Sequence, residues 1–222
     1  MTFTILASDP ERRLLGAATA SYSLAVGAGV PLLRPGVGAV ASQAYTNRSL
    51  RQSSLDALAN GATPDQVIAE LPSRDPGYSQ RQLALIAADG STAVHTGTDC
   101  SQWAGSVLGT NLVAAGNLLA GPDVLAAMRA AFDRARSTYA RTHDALPDDV
   151  HTAAFARALV EALAAGEAAG GDSRGKQSAA LLVASGAGIP QETHHIAIDL
   201  RADDHPEPVT ELSRLLERAL GK

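Results

Sequence analysis

Gly170-Gly171-Asp172-Ser173-Arg174-Gly175-Lys176-Gln177-Ser178 runs directly into Ala179-Ala180-Leu181-Leu182-Val183. Three glycines punctuate an acid, two bases and an amide, and then an unbroken apolar run begins. Short apolar runs bounded by glycine suit strands covered on both faces. The stretch therefore reads as a polar loop feeding a fully buried strand. Glycine admits positive φ and close backbone approach. Asp172 and Arg174 cannot follow the strand inward unpaired, because an uncompensated buried charge is very costly. A solvated turn ahead of a core strand is the plainer reading. The density of charge and glycine favours a loop that builds or supports a site.

Working outward, Thr2 to Ser8 alternates, with Phe3, Ile5 and Ala7 on one face and Thr2, Thr4 and Leu6 on the other. Asp9-Pro10 closes it as a turn. Leu15 to Ser21 pairs back as a hairpin strand, and Gly36 to Gln43 forms a third, ending at Tyr45-Thr46-Asn47. A helix bearing Leu50, Leu55 and Leu58 stops at Gly61. The next starts at Thr63-Pro64-Asp65-Gln66, with an N-cap hydroxyl, proline at N1 and a capping-box glutamine at N3. Asp89-Gly90 between Gln82–Ala87 and Thr92–Thr96 signals a hairpin. Two short strands surround Gly109 and end at Gly116-Asn117. Gly121-Pro122-Asp123 opens a helix with Val124, Leu125, Met128 and Phe132, and a polar segment from Arg134 to Asp149 interrupts the pattern. A helix with Phe155, Leu159 and Leu163 then ends near Gly166. After the opening stretch come a strand from His195 to Arg201, a turn at Asp203-Asp204-His205-Pro206 and a helix with Val209, Leu212, Leu215 and Leu216.

Hairpins alternating with paired helices predict an α+β fold of two mainly antiparallel sheets stacked face to face with helices outside. Strands buried on both faces explain the abundance of alanine. Residues 1–222 form one domain on this reading, with no repeat or low-complexity linker to divide them. The 222 residues carry 18 Lys+Arg against 23 Asp+Glu, a formal charge of -5, and aromatics are only 4%. No basic stripe with interleaved aromatics occurs, which argues against nucleic acid as a partner. No apolar run reaches membrane-spanning length and the start carries no basic leader, so no membrane partner is expected. With Cys100 as the only cysteine, no internal disulfide forms, and a cytoplasmic location is the simplest expectation.

Three constellations carry chemistry. Thr2 follows an initiator methionine, and a residue that small permits methionine removal. The exposed α-amine, with a pKa of about 7.7–8.0, could then accept a proton from the hydroxyl of its own residue. His194, His195, Asp199, Asp203, Asp204 and His205 are possible metal ligands, with His195 and Asp199 on one strand face. The spacing matches no metal motif. A helix-capping role for Asp203 or Asp204 is preferred, and no metal or other cofactor is expected. Cys100 reads as a buried apolar residue. No nucleophile elbow, Walker loop or dinucleotide fingerprint is present.

Taken together, these stretches resemble the bacterial domain of unknown function 1028, placed in the N-terminal-nucleophile (Ntn) hydrolase superfamily. The resemblance is carried by Thr2-Phe3-Thr4-Ile5 with Asp9-Pro10, Ala25-Val26-Gly27, Gly36 to Ala44 and Thr46-Asn47. It continues through Thr96-Gly97, Trp103-Ala104-Gly105, Gly116 to Gly121, Gly170 to Ser178 and Asp203-Asp204-His205-Pro206. It implies a four-layer αββα sandwich and an amidohydrolase acting on a small amide or peptide-like substrate. Thr2 would be the nucleophile, and backbone donors near Asn117 would serve the oxyanion. Asp172 and Arg174 would orient the amine or hold a charged substrate group. Ser21, Asn47, Arg174 and Gln177 are the substrate-binding candidates, and Thr4 or Ser21 are alternative hydroxyls. Proteasome-like members use a lysine soon after the second strand. Here no lysine precedes Lys176, and Arg34 is the base of that region. A non-catalytic protein holding a small acidic ligand with Asp172, Arg174 and Gln177 is the rival reading. A metal hydrolase built on His195 and Asp199 is a third. Self-association is expected from the flat small-residue faces and from the cover needed by residues 139–149.

Overall fold

A computed structural model of the protein describes residues 2–140, 147–186 and 195–221. The first half of the chain runs β1 (Thr2–Asp9), β2 (Leu14–Ser21), α1 (Val26–Gly29), β3 (Pro31–Arg34), β4 (Gly38–Ala44), α2 (Ser49–Ala59), α3 (Pro64–Ala69), α4 (Leu71–Arg74), β5 (Arg81–Ala87) and β6 (Thr92–Thr96). It continues with β7 (Gly105–Gly109), β8 (Leu112–Asn117), α5 (Asp123–Ala140), α6 (Asp148–Ala168), β9 (Ser178–Ser185), β10 (His195–Ala202) and α7 (Pro208–Leu220). The strands form two sheets, of order β10-β9-β2-β1-β8-β7 and β3-β4-β5-β6, and every pairing is antiparallel.

Three apolar clusters fix what packs on what. Phe3, Ile5 and Ala7 face Met128, Phe132, Phe155, Leu159 and Leu212, so α5, α6 and α7 cover one face of the larger sheet. Leu6, Ala17, Ala115 and Leu182 face Ala39, Ala41, Ala84 and Ile86 of the smaller sheet. Val40, Leu83 and Leu85 face Leu50, Leu55, Val67 and Leu71, so α2, α3 and α4 cover the outer face of the smaller sheet. Burying a leucine- or isoleucine-sized side chain contributes about 1.5–3 kcal/mol. Alanine contributes less, but it lets the two sheets lie close together. The alternation of β1 agrees with the sequence, and β9 is buried along almost its whole length.

Local signals also hold at α3. Thr63 Oγ1 accepts from the Gln66 N–H at 3.2 Å, while Gln66 Oε1 accepts from the Thr63 N–H at 2.8 Å. Other expectations need correction. β3 and α4 were not expected, being four residues each and without a periodic signature. The polar segment after Phe132 stays helical to Ala140 and resumes at Asp148, with Asp133, Arg134, Asp148 and Asp149 exposed and Arg136 partly buried; residues 141–146 lie outside the described residues. Glu207, not Asp203 or Asp204, occupies the N-cap position of α7, where its side chain makes no capping hydrogen bond, and Asp204 instead accepts from Gln177 Nε2 at 3.2 Å. A bulge between Ile196 and Ile198 sets His195 opposite Ser185 and Asp199 opposite Leu182. That extra residue breaks the period of two, so the two side chains do not share a face. Asp199 is paired with Arg201, and His194 lies outside the described residues.

Gly16 carries the closest approach of helix to sheet. A Cβ there would stand 2.3 Å from Leu159 and 2.7 Å from Phe155, both buried. Neither neighbour has room to withdraw in a close-packed core. Gly16→Ala should lower stability by about 1–3 kcal/mol, read as a fall of several degrees in Tm.

Candidate functional site

The antiparallel order brings the start of β1, the end of β2, the end of β8 and the start of β9 to one end of the larger sheet. Thr2 pairs with Asn117, and Ser21 pairs with Ser178. Thr2 Oγ1 donates to Ser21 Oγ at 3.3 Å. Ser178, Ser21, Thr2 and Asn117 thus make a polar row across four adjacent strands, all four buried and all on the face turned to the smaller sheet. Thr4 and Thr19 stand one step inward on the same face. Opposite them the smaller sheet presents its own row, Gln43, Gln82 and Thr96, paired in register on β4, β5 and β6.

The orientation of this network follows from two backbone carbonyls. Gly105 O and Gly116 O lie 3.0 and 2.9 Å from the terminal amide of Gln82. A carbonyl only accepts, so the Gln82 atom facing them is Nε2 and its Oε1 faces the other way. Oε1 therefore accepts from Asn117 Nδ2 at 2.9 Å and from Gln43 Nε2 at 2.8 Å. Gln43 Oε1 in turn accepts from the Thr4 hydroxyl at 2.7 Å, and Thr19 Oγ1 lies 2.8 Å from Thr4. The Thr4 proton is committed to Gln43. Asn117 is left with its carbonyl oxygen facing away from Gln82, and that oxygen makes no hydrogen bond among the described residues.

The glycine-rich loop lies beside this row. Gly170, Gly171 and Gly175 all adopt positive φ, at 114°, 52° and 121°. The Asp172 carboxylate is buried. Its Oδ2 accepts from the Tyr22 N–H at 2.9 Å and from Arg174 Nη2 at 2.9 Å, and its Oδ1 accepts from the Arg174 N–H and Nε. Backbone bonds from Ser173 to Leu118 and from Ala120 to Gly171 tie the same loop to the end of β8. Asp172 thereby clasps together the three chain segments around Thr2. Arg174 is stacked 5.3 Å from the Tyr22 ring and is one-third exposed. Non-glycine residues with positive φ, Ala25, Ala44 and Leu118, also cluster at this end; such strain tends to gather at functional sites.

The remaining expected residues are placed as follows. Ser21 Oγ joins Thr2 to Ser23 Oγ, 2.9 Å further on in an exposed loop. Asn47 donates to Asp75 at 2.9 Å and accepts from the N–H and hydroxyl of Ser49, so it anchors the start of α2. Gln177, just ahead of β9 and two strands over from Thr2, bonds Asp204. Arg34 pairs with Asp56 on the surface. Cys100 is buried and its thiol is pushed up, chiefly by burial. Among the described residues no three His, Cys, Asp or Glu side chains converge as a metal cluster. Gln43 and Gln82 were not anticipated. Their signal was parity, since each continues the inward-facing alternation of Ala39 and Ala41 or of Ala84 and Ile86.

Volume and chemistry point to opposite ends. The roomier cavities, of about 380 and 500 Å³, lie around Asp9 and Pro10 at the far end of β1. Near Thr2 there is a space of about 90 Å³ under the glycine loop, on the helix side of the sheet. The chemistry marks the Thr2 end, because buried hydroxyls and amides aligned across two sheets are costly and packing alone does not call for them.

A family model described as a family of unknown function, DUF1028, matches residues 2–212. The chain belongs to the DUF1028 family. A crystal structure of a DUF1028 protein from Silicibacter pomeroyi is similar at a TM-score of 0.79 and 34% identity, covering 98% of this chain and 85% of that one. A comparison with curated proteins finds no match. No helix among the described residues of this DUF1028 chain is long and apolar enough to cross a membrane.

Two outcomes are expected. Gln82→Leu strands the amide of Asn117, removes a donor from the Gly105 and Gly116 carbonyls and leaves Gln43 only its bonds to backbone carbonyls and Thr4. Chemical denaturation should report a loss of roughly 2–4 kcal/mol, since each buried orphan costs about 1–3 kcal/mol. Asp75 is held down at about 2, foremost by its hydrogen bond from Arg81 and then by those from Asn47 and the Gly77 N–H, which outweigh its burial. A folded pKa below the unfolded value stabilises above the unfolded pKa and is lost as pH falls towards the folded one. Stability should therefore drop by about 2 kcal/mol more between pH 5 and 2 in the wild type than in Asp75→Asn.

Proposed function

We propose that this chain is an N-terminal-nucleophile amidohydrolase whose stacked sheets and flanking helices are the four-layer αββα sandwich of that superfamily. The observation that carries the reading is the row in which Thr2 stands: its hydroxyl bonds Ser21, and an open acceptor, Asn117 Oδ1, lies in register beside it. Removal of Met1 would place a neutral α-amine, whose N–H can donate to that acceptor while its lone pair takes a proton, beside Thr2 Oγ1. Thr2 Oγ1 would then attack the carbonyl of a small amide or peptide-like substrate, and its proton would pass through the α-amine to the leaving nitrogen as the C–N bond breaks. Water would release the resulting ester and restore the hydroxyl.

Asn117 Nδ2 donates to Gln82, and the oxyanion donors would be backbone N–H groups near Asn117, as the resemblance implies. Thr4 is a poorer nucleophile than Thr2, because its proton is held by Gln43. Asp172 acts as a positioning residue. Arg174, anchored on it at the rim, suits an anionic group on the substrate.

The test uses untagged protein expressed from its own start codon. Intact mass should show loss of Met1, and a β-lactone electrophile should add once to the mature chain. Thr2→Ala should abolish that adduct and lower hydrolysis of any amide found in a substrate screen by roughly 10³-fold or more. Retained Met1, or labelling that survives Thr2→Ala, would overturn the proposal and leave the ligand-binding reading in its place.

A further inference from the structure

At the end of β1 remote from Thr2, a cavity of about 380 Å³ lies between the β1–β2 turn, the last turns of α5 and the start of α6. Its floor is apolar, made by Leu14, Phe155, Ala154 and Ala158. Its walls carry three guanidinium groups, Arg12, Arg129 and Arg136, against two carboxylates, Asp9 and Asp133. That volume falls in the range of small-molecule sites, which pair an apolar lining with a few convergent polar groups.

The cations differ in how they are held. Arg12 is fixed in place: Nε donates to His151 Nδ1 at 3.1 Å and Nη1 donates to Asp9 Oδ2 at 3.3 Å. His151 and Asp9 are both buried, so this guanidinium rests on a rigid support. Arg129 approaches Asp133 at 3.5 Å along α5. Arg136 is the exception. It stands 3.9 Å from the Asp9 oxygen that Arg12 already uses and 5.9 Å from the Phe132 ring, and it makes no hydrogen bond among the described residues. Two-thirds of its side chain is buried. Five donors in a planar fork, facing a cavity and sharing a carboxylate with a neighbour, lack a proper counter-charge.

We propose that this cavity binds a small molecule with an anionic oxygen fork, a carboxylate or a phosphate monoester, attached to an apolar body. The fork meets Arg136 bidentately with Arg12 beside it, and the apolar body covers Leu14 and Phe155. The site lies a full strand length from Thr2, about 23 Å at 3.3 Å per residue, and is independent of the hydrolase reading.

The experiment titrates the whole protein with benzoate, phenyl phosphate, inorganic phosphate and benzyl alcohol, reading Tm and binding heat. At least one of benzoate and phenyl phosphate should raise Tm saturably, and the tighter of the two identifies the headgroup as carboxylate or phosphate. Arg136→Gln should weaken that binding by about 10-fold or more, and Arg136→Lys should fall between, keeping the charge but losing the fork. Inorganic phosphate should bind more weakly than phenyl phosphate, and benzyl alcohol should not bind. The proposal is overturned if neither organic anion binds below about 10 mM, or if benzyl alcohol matches them. It also fails if Arg136→Gln, folded with an unchanged Tm in the absence of anion, binds as the wild type does. Equal binding of phosphate and phenyl phosphate would overturn the apolar half of the assignment.

Discussion

The amide of Gln82 sits where the two sheets and the candidate site meet. Its nitrogen is trapped by backbone carbonyls of β7 and β8, and this direction passes to Asn117, Gln43 and Thr4 without a free choice at any step. A buried polar network is favourable only when its members are satisfied. Sliding one sheet over the other by two residues would set inward-facing alanines such as Ala41 and Ala84 where these amides stand and leave the polar rows unmatched. The polar rows therefore fix the stacking of sheets whose interface is otherwise built of small, interchangeable alanines.

Much of the architecture was legible because it is written in short-range signals. The alternation of Thr2–Ser8, the Asp-Gly turn at residues 89–90 and the capping box at Thr63 each depend on residues close in sequence. β3 is hidden because four residues carry no period, and the tail of α5 is hidden because a polar run looks like a break even where the helix continues. A period of two sets His195 and Asp199 on one face, and one bulged residue puts them on opposite faces.

The site was legible in part. Thr2, Ser21 and Asn117 could be recognised as strand ends, and the Gly170 loop as a dense polar feature beside a buried strand. Gln43 and Gln82 could not, because what makes them matter is a pairing across two sheets among residues 35 to 41 positions apart. Asp172 was legible as a charge needing a partner. That it serves as a clasp through the Tyr22 amide, 150 residues away, belongs to the fold alone. β1 meanwhile carries two kinds of chemistry at its two ends, closed and neutral at Thr2, open and charged at Asp9.

The strand order of the larger sheet has a consequence for synthesis. Of this sheet's strands β1 and β2 are made first, yet they are the central pair, flanked by β8 and β9. β2 cannot meet β9 until about 160 more residues have been translated, roughly 10–30 s at ordinary elongation rates. Through that interval the nascent hairpin keeps its β2 edge unpaired, and its face bearing Phe3 and Ile5 waits for α6. Its small, weakly sticky side chains then serve a second purpose, limiting how firmly a waiting hairpin can engage the wrong surface before the right one exists.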